Sequence, residues 1–321
     1  MGHIVLGVGS SHGPSIQTQP EQWEKLAKKD TRDPRFNYQE LLQAAKPGLE
    51  MEITLDVQRH RYAAAHRALQ TLREVIAQAK LDVIVVVSNL HGIRREDPQP
   101  VFGVFRGDSL TVAKRSDQLA NIEKKFVAGE RRPVPKETLS MPGGRDLANH
   151  LIDTLIERDF DIACVDQLRE GAVLDDAFAF TYEFLLGGAV LPLVPFMLSR
   201  DLPNQATPKR CYDLGTALRQ QIDAWPADLR VGLIASGGLS HQVIDEDLDR
   251  KVTMALVDGD AQALRSLPRA QLNRAPGTPE ILNWITVAAA MAPKTMTLVD
   301  YLPCYRSAAG TGHGLTFGYW K

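Results

Sequence analysis

Two histidines each follow a strongly hydrophobic run almost at once, and a glutamate far downstream stands at the start of a helical pattern. The first run, His3-Ile4-Val5-Leu6-Gly7-Val8-Gly9-Ser10-Ser11, is closed by His12. The second, Leu81-Asp82-Val83-Ile84-Val85-Val86-Val87-Ser88-Asn89-Leu90, is closed by His91. The acid is Glu280, in Gly277-Thr278-Pro279-Glu280-Ile281-Leu282-Asn283-Trp284. Two neutral imidazoles and one carboxylate suit Fe(II), and three such ligands on one face leave coordination positions open for a substrate and dioxygen. Each residue also has a plainer reading. A histidine after a strand often serves as a cap or hydrogen-bonding group, and Glu280 would suit the first turn of a helix with Thr278 as N-cap and Pro279 just inside. Spacing alone does not decide between these readings.

The strongest local motif is Ala235-Ser236-Gly237-Gly238-Leu239-Ser240-His241, placed after the apolar run Arg230-Val231-Gly232-Leu233-Ile234. Adjacent glycines let backbone approach a ligand closely, and a histidine at that point can take up or deliver a proton near neutral pH. The alternative is a Gly-Gly turn followed by a helix-capping Ser240. Other signals carry less. Gly7-Val8-Gly9-Ser10-Ser11-His12 begins like a dinucleotide fingerprint but has histidine at the third glycine position, and no P-loop lysine follows. His60, His66 and His150 fall on charged helical patterns, where solvent exposure explains them better than metal binding. His313, in Gly310-Thr311-Gly312-His313-Gly314, reads as part of a turn, although from a loop it could reach the site.

Short β-branched runs alternate with longer helical patterns, which predicts an α/β fold: a mostly parallel or mixed central sheet covered by helices on both faces. Strands are expected at 3-8, 82-88, 100-105, 160-165, 190-197, 230-236 and 315-320, and helices at 54-79, 143-158, 208-224 and 278-291. In such folds ligands gather beyond the carboxyl ends of the strands, which is where His12 and His91 fall. Residues 13-50 and 106-142 fit the alternation poorly and read as insertions in a single domain spanning 1-321. Loops of that length commonly act as lids or binding loops.

Composition bounds the partners. A chain of 321 residues with 44% hydrophobic and 24% charged residues and a net charge of -2 offers no basic field for nucleic acid. It has no apolar run long enough for a membrane helix. The expectation is a cytoplasmic protein that begins at Met1, binds a small molecule and forms a homo-oligomer. Cys164, Cys211 and Cys304 are odd in number and far apart, which argues for buried, inert thiols rather than a disulfide framework or a zinc ribbon.

Taken together, Ser10-Ser11-His12, Asn89-Leu90-His91, Gly237-Gly238-Leu239-Ser240-His241 and Glu280-Ile281-Leu282-Asn283-Trp284 resemble the class III extradiol ring-cleavage dioxygenase superfamily. The resemblance is to the branch that holds the catalytic subunit of protocatechuate 4,5-dioxygenase and the gallate and 3-O-methylgallate dioxygenases. Arg210-Cys211-Tyr212-Asp213-Leu214-Gly215 and Ser307-Ala308-Ala309-Gly310 also look like family segments. The resemblance implies that His12, His91 and Glu280 bind non-haem Fe(II), that His241 is the acid/base residue, and that the substrates are a catechol-like aromatic and dioxygen. One family position departs. Leu174-Asp175-Asp176-Ala177-Phe178 carries Asp176 where many relatives have a histidine in an Asp-His-Ala-Phe context. An ionised aspartate only accepts hydrogen bonds, so Asp176 would face a hydroxyl or amino substituent of the ring, or cap the following helix. Two rival readings stand beside this one: a zinc hydrolase on the same ligand set, and a non-catalytic binding member of the superfamily.

Overall fold

The β-branched runs pair into one mixed sheet. In chain order the strands are β1 (His3–Ser10), β2 (Val83–Asn89), β3 (Phe102–Phe105), β4 (Ser109–Ala113), β5 (Thr138–Pro142), β6 (Ile162–Val165), β7 (Leu193–Leu198), β8 (Arg230–Ser236), β9 (His241–Val243), β10 (Thr297–Tyr305) and β11 (Thr311–Trp320). The computed structural model describes residues 2–89, 100–113, 138–167, 174 and 176–321. Nine strands form the main sheet in the order β10-β11-β1-β8-β2-β7-β3-β6, with β9 paired to β11; β4 and β5 make a separate antiparallel pair. The centre, β1-β8-β2-β7, is parallel throughout. Its flank is antiparallel, β11 running against β1, β9 and β10.

Both faces of the centre are buried, which explains the near-continuous hydrophobic runs. On β2, Val83, Val85 and Val87 pack into one core and Ile84 and Val86 into the other. Full burial of each such side chain contributes roughly 1.5–3 kcal/mol. The first core is closed by the helices Arg145–Ile156, Pro208–Ala224, Glu246–Asp258 and Ile281–Met291, and the second by the helix Leu55–Ala79. That long helix buries Ala65, Ala68, Leu69, Leu72, Ile76 and Ala79 at helical spacing, and ends on Lys80 in the left-handed conformation. The mixed, helix-covered sheet expected from the sequence is present.

Several expectations need correction. β10 lies at the edge of the sheet and contains Asp300 and Pro303, which break the apolar alternation but are tolerated where one side lacks a neighbouring strand. The helix Glu246–Asp258 was also outside the expected set; Asp245 caps it by accepting from the Leu248 N–H at 3.0 Å. Within 13-50, the helix Trp23–Asp30 inserts a fully buried Trp23, whose indole donates to the Thr18 carbonyl at 2.8 Å. In 106-142, the two ends pair as β4 and β5, while 114–137 lie outside the described residues. His66 and His150 are half-buried rather than solvated. Their Nε2 atoms lie 3.1 Å from the Ile16 carbonyl and 2.8 Å from the Gln221 carbonyl, respectively. Burial pushes the Cys211 and Cys304 thiols up to about 12, as inert thiols require, but Cys164 is exposed.

Candidate metal and acid–base site

In the parallel centre, the register that pairs Ser10 with Ser236 makes β1 and β8 leave the sheet at the same level. His12 follows two residues later and is buried. Its Nδ1 lies 2.9 Å from the Oγ of Ser236, the last residue of β8, and its backbone carbonyl accepts from the Gln17 amide at 2.7 Å. A hydrogen bond at Nδ1 makes Nε2 the ring nitrogen with which His12 would ligate, and such a partner fixes ring orientation in metal sites.

Glu280 reaches the segment just past the same strand end. It closes a 3₁₀ turn, Thr278–Glu280, that leads into the helix Ile281–Met291, and it is only 1% exposed, so it is not an ordinary solvated first-turn acid. Its Oε2 accepts from the Gly238 N–H at 2.8 Å. Gly237 has φ +130°, and a Cβ there would stand 2.6 Å from that carboxylate oxygen, so the first glycine of the pair is required for both reasons. One turn on, the Asn283 amide donates to the Ser236 carbonyl at 2.7 Å and to Asn89 Oδ1 at 2.9 Å. The Trp284 indole donates to the Gly237 carbonyl at 2.9 Å. These bonds tie the helix start to the carboxyl ends of β8 and β2. Beyond β7, Arg200 brings Nη1 to 3.8 Å from Glu280 Oε1.

His241 opens β9 and stands opposite His313 of β11 in the antiparallel register. The two rings meet edge to face, with their Nε2 atoms 3.2 Å apart. His241 Nδ1 lies 3.7 Å from Glu280 Oε2, and Gly277 gives the ring room, since a Cβ there would come within 2.2 Å of it. Burial pulls the His241 pKa down to about 3, outweighing the opposite pull of the Glu280 carboxylate, so the imidazole is neutral. Burial likewise lowers His313 well below the usual histidine value. His313 is therefore a mid-strand residue of the site, not part of a turn.

Ser240 does not cap a helix. Its N–H and hydroxyl donate to the two oxygens of Asp249 at 2.7 and 2.6 Å, and the Tyr301 hydroxyl donates to the same carboxylate at 2.7 Å. Asp249 is fully buried, and burial raises it to about 6 although these three donors pull the other way. This buried acid anchors the Gly-Gly-Leu-Ser-His segment. Sequence reading missed Asp249, and equally Ser15, Asp30, Asn283 and Arg306. Asp249, Ser15, Asp30 and Arg306 stand in no local motif that would mark them, and Asn283 lies within the Glu280-Ile281-Leu282-Asn283-Trp284 segment with no local cue to its own role.

His12, Glu280 and His241 thus converge on the segment that follows β8. β2, which pairs with β8, ends at Asn89, and His91 lies outside the described residues. Asp176 begins the short helix Asp176–Phe180, and its side chain lies outside the description as well. Among the described residues no three His, Cys, Asp or Glu side chains are grouped to hold a metal ion. The donors that are described suit one: a histidine whose Nδ1 is already engaged, and a deeply buried carboxylate that keeps the Arg200 guanidinium at 3.8 Å.

Residues 7–309 match the family of the catalytic LigB subunit of aromatic ring-opening dioxygenase, and the chain belongs to that family. It is 28% identical over 173 residues to the gallate dioxygenase of Pseudomonas putida, a match that spans about half the length of each protein, 49% of this chain and 48% of the relative. A crystal structure of an uncharacterized protein from Escherichia coli K12 superposes with a TM-score of 0.46 at 14% identity, covering 78% of this chain and 91% of that one. No helix among the described residues is long and apolar enough to cross a membrane.

Proposed function

We propose that the chain is an Fe(II)-dependent extradiol dioxygenase that opens a catechol-like ring beside its two vicinal hydroxyls. The observation that carries this reading is the convergence of His12, Glu280 and the neutral His241 at the end of β8, within a chain that matches the ring-opening dioxygenase family from residue 7 to 309. His12, His91 and Glu280 would hold the iron. Bound there, Fe(II) would supply open coordination positions and the redox chemistry that ring opening needs.

The protein's own part is positioning and proton movement. Ser236 orients the His12 ring, and the Gly238 N–H holds one oxygen of Glu280. Neutral His241 accepts a proton from a substrate hydroxyl and returns it later, a role in which a positioned histidine contributes about 10²- to 10⁴-fold. The His12 ring sits 6.1 Å from that of Phe180, which puts an apolar wall beside the site. Asp176, one turn before Phe180 on the same short helix, would face a ring substituent and bias the choice among substituted rings.

The test is anaerobic reconstitution with Fe(II), followed by oxygen uptake and product analysis with catechol, gallate-like and amino-substituted rings. Iron-dependent uptake with a ring-opened product is expected, and Asp176→Asn should change the relative rates across the panel more than the iron content. Activity with zinc as an ester or amide hydrolase, without oxygen uptake, would overturn the reading.

A further inference from the structure

Behind His241 lies a chain of polar side chains that ring cleavage does not by itself call for, and that begins in the 13-50 segment. Asp30, on the helix Trp23–Asp30, accepts from Arg306 Nε at 3.1 Å and from Nη2 at 3.0 Å; both residues are buried. The Thr311 hydroxyl donates to the same aspartate at 2.7 Å. The remaining arm of the guanidinium, Nη1, lies 3.4 Å from His313 Nδ1, and the Ser15 hydroxyl lies 2.9 Å from that nitrogen.

A guanidinium can only donate hydrogen bonds. His313 Nδ1 facing Arg306 must therefore accept, which places the single proton of a neutral imidazole on Nε2. That Nε2 stands 3.2 Å from His241 Nε2. Two N–H groups cannot point at each other across such a contact, so His241 Nε2 is the acceptor. Its own proton then sits on Nδ1, on the side of Glu280, where among the described residues the nitrogen has no hydrogen-bond partner.

We propose that Asp30, Arg306 and His313 form a positioning relay that fixes the His241 ring and holds it as its Nδ1–H tautomer, with Nε2 accepting from His313. The tautomer assignment follows from donor and acceptor geometry alone; only its consequence for turnover rests on the dioxygenase reading. His313 is a positioning residue, since it acts on the reaction through His241. Gly13 belongs to the same arrangement, because a Cβ there would press within 2.9 Å of the His313 ring.

The experiment uses the full chain, metal-free and labelled with ¹⁵N-histidine, and reads the tautomers from long-range ¹H–¹⁵N correlations at neutral pH. The His241→Gln and His313→Gln variants serve to assign the two rings. His241 is expected as Nδ1–H and His313 as Nε2–H. His313→Leu should release His241 into a tautomer mixture and lower kcat of the iron-loaded enzyme roughly tenfold, the scale of one lost hydrogen bond, with KM and iron content little changed. His313→Gln keeps an N–H donor and should restore both the tautomer and most of kcat. Asp30→Leu combined with Arg306→Met should let His313 turn its proton toward Ser15 and shift both tautomers; if that pair does not fold, His313→Leu decides alone. A wild-type His241 found as Nε2–H, or a His241 tautomer unmoved by His313→Leu, overturns the relay. A correct tautomer without iron-dependent oxygen uptake would sink the dioxygenase reading and leave the relay standing.

Discussion

The two sides of the site are built by different kinds of structure. On the ligand side, His12 and Glu280 sit just past the ends of regular elements and are drawn together by short loops: Ser236 holds one, Gly238 the other, and Asn283 ties the helix start to two strand ends. On the acid–base side, His241 and His313 face each other across the antiparallel β9–β11 pair, braced by Asp249 in front and by the Asp30–Arg306 pair behind. Ligand positions thus depend on close backbone approach at glycines, whereas the acid–base pair depends on cross-strand register. A change on one side should leave the other in place.

The largest effect is expected on the ligand side. His12→Ala, His91→Ala and Glu280→Ala should each lose bound iron and all turnover while the circular dichroism stays native, because three ligands leave little redundancy. A variant that retains full iron and activity would remove its residue from the proposed set.

Gly237→Ala should mimic this loss without touching a ligand. The added methyl group meets Glu280 and the φ of +130° disfavours any side chain, so iron affinity should fall while the His241–His313 contact survives. Normal iron binding in Gly237→Ala would show that Glu280 is not held where the carboxylate must ligate.

From the other side, His241→Gln should keep iron and lose roughly two to four orders of magnitude in turnover, with substrate still perturbing the iron spectrum. Iron lost together with activity would place His241 in the coordination shell and dissolve the distinction between the two sides.

The smallest effect concerns stability. Asp249 is raised from 3.8 to about 6 in the folded protein. Below the lower value both states are protonated and the group contributes nothing against folding. Between the two values the unfolded chain has released a proton that the folded one keeps, so stability falls as pH rises through this window and levels off above it. Two pH units correspond to roughly 3 kcal/mol at most. Asp249→Asn should flatten that slope in urea titrations between pH 4 and 7, and an unchanged slope would assign it to another group.

Legibility follows the same division. The parallel centre was readable because strands buried on both faces must be continuous apolar runs, and His12, which closes the first of them, marks the carboxyl edge where sites form. The Gly-Gly-Leu-Ser-His segment was readable because its glycines stand together. The flank was not. β10 hides behind Asp300 and Pro303, and the glycines around His313 suggest a turn although they lie in a strand. They are there for close packing instead: a Cβ on Gly312 would meet the Cys304 carbonyl at 2.2 Å, and one on Gly314 would meet Asp249 at 2.1 Å.

From its sequence alone the chain determined an α/β sheet with both faces covered, the family motifs, and the residue types a metal and a proton transfer would need. Those properties are local: hydrophobic period, β-branching and the company a histidine keeps within a few positions. Only the tertiary structure decided that Asp30 meets Arg306 across 276 positions of chain, that His313 meets His241 across a strand pair, and that Asp249 anchors the loop between them. Buried polar groups must find partners wherever the fold supplies them, and a partner chosen by strand register leaves no periodic trace in the sequence.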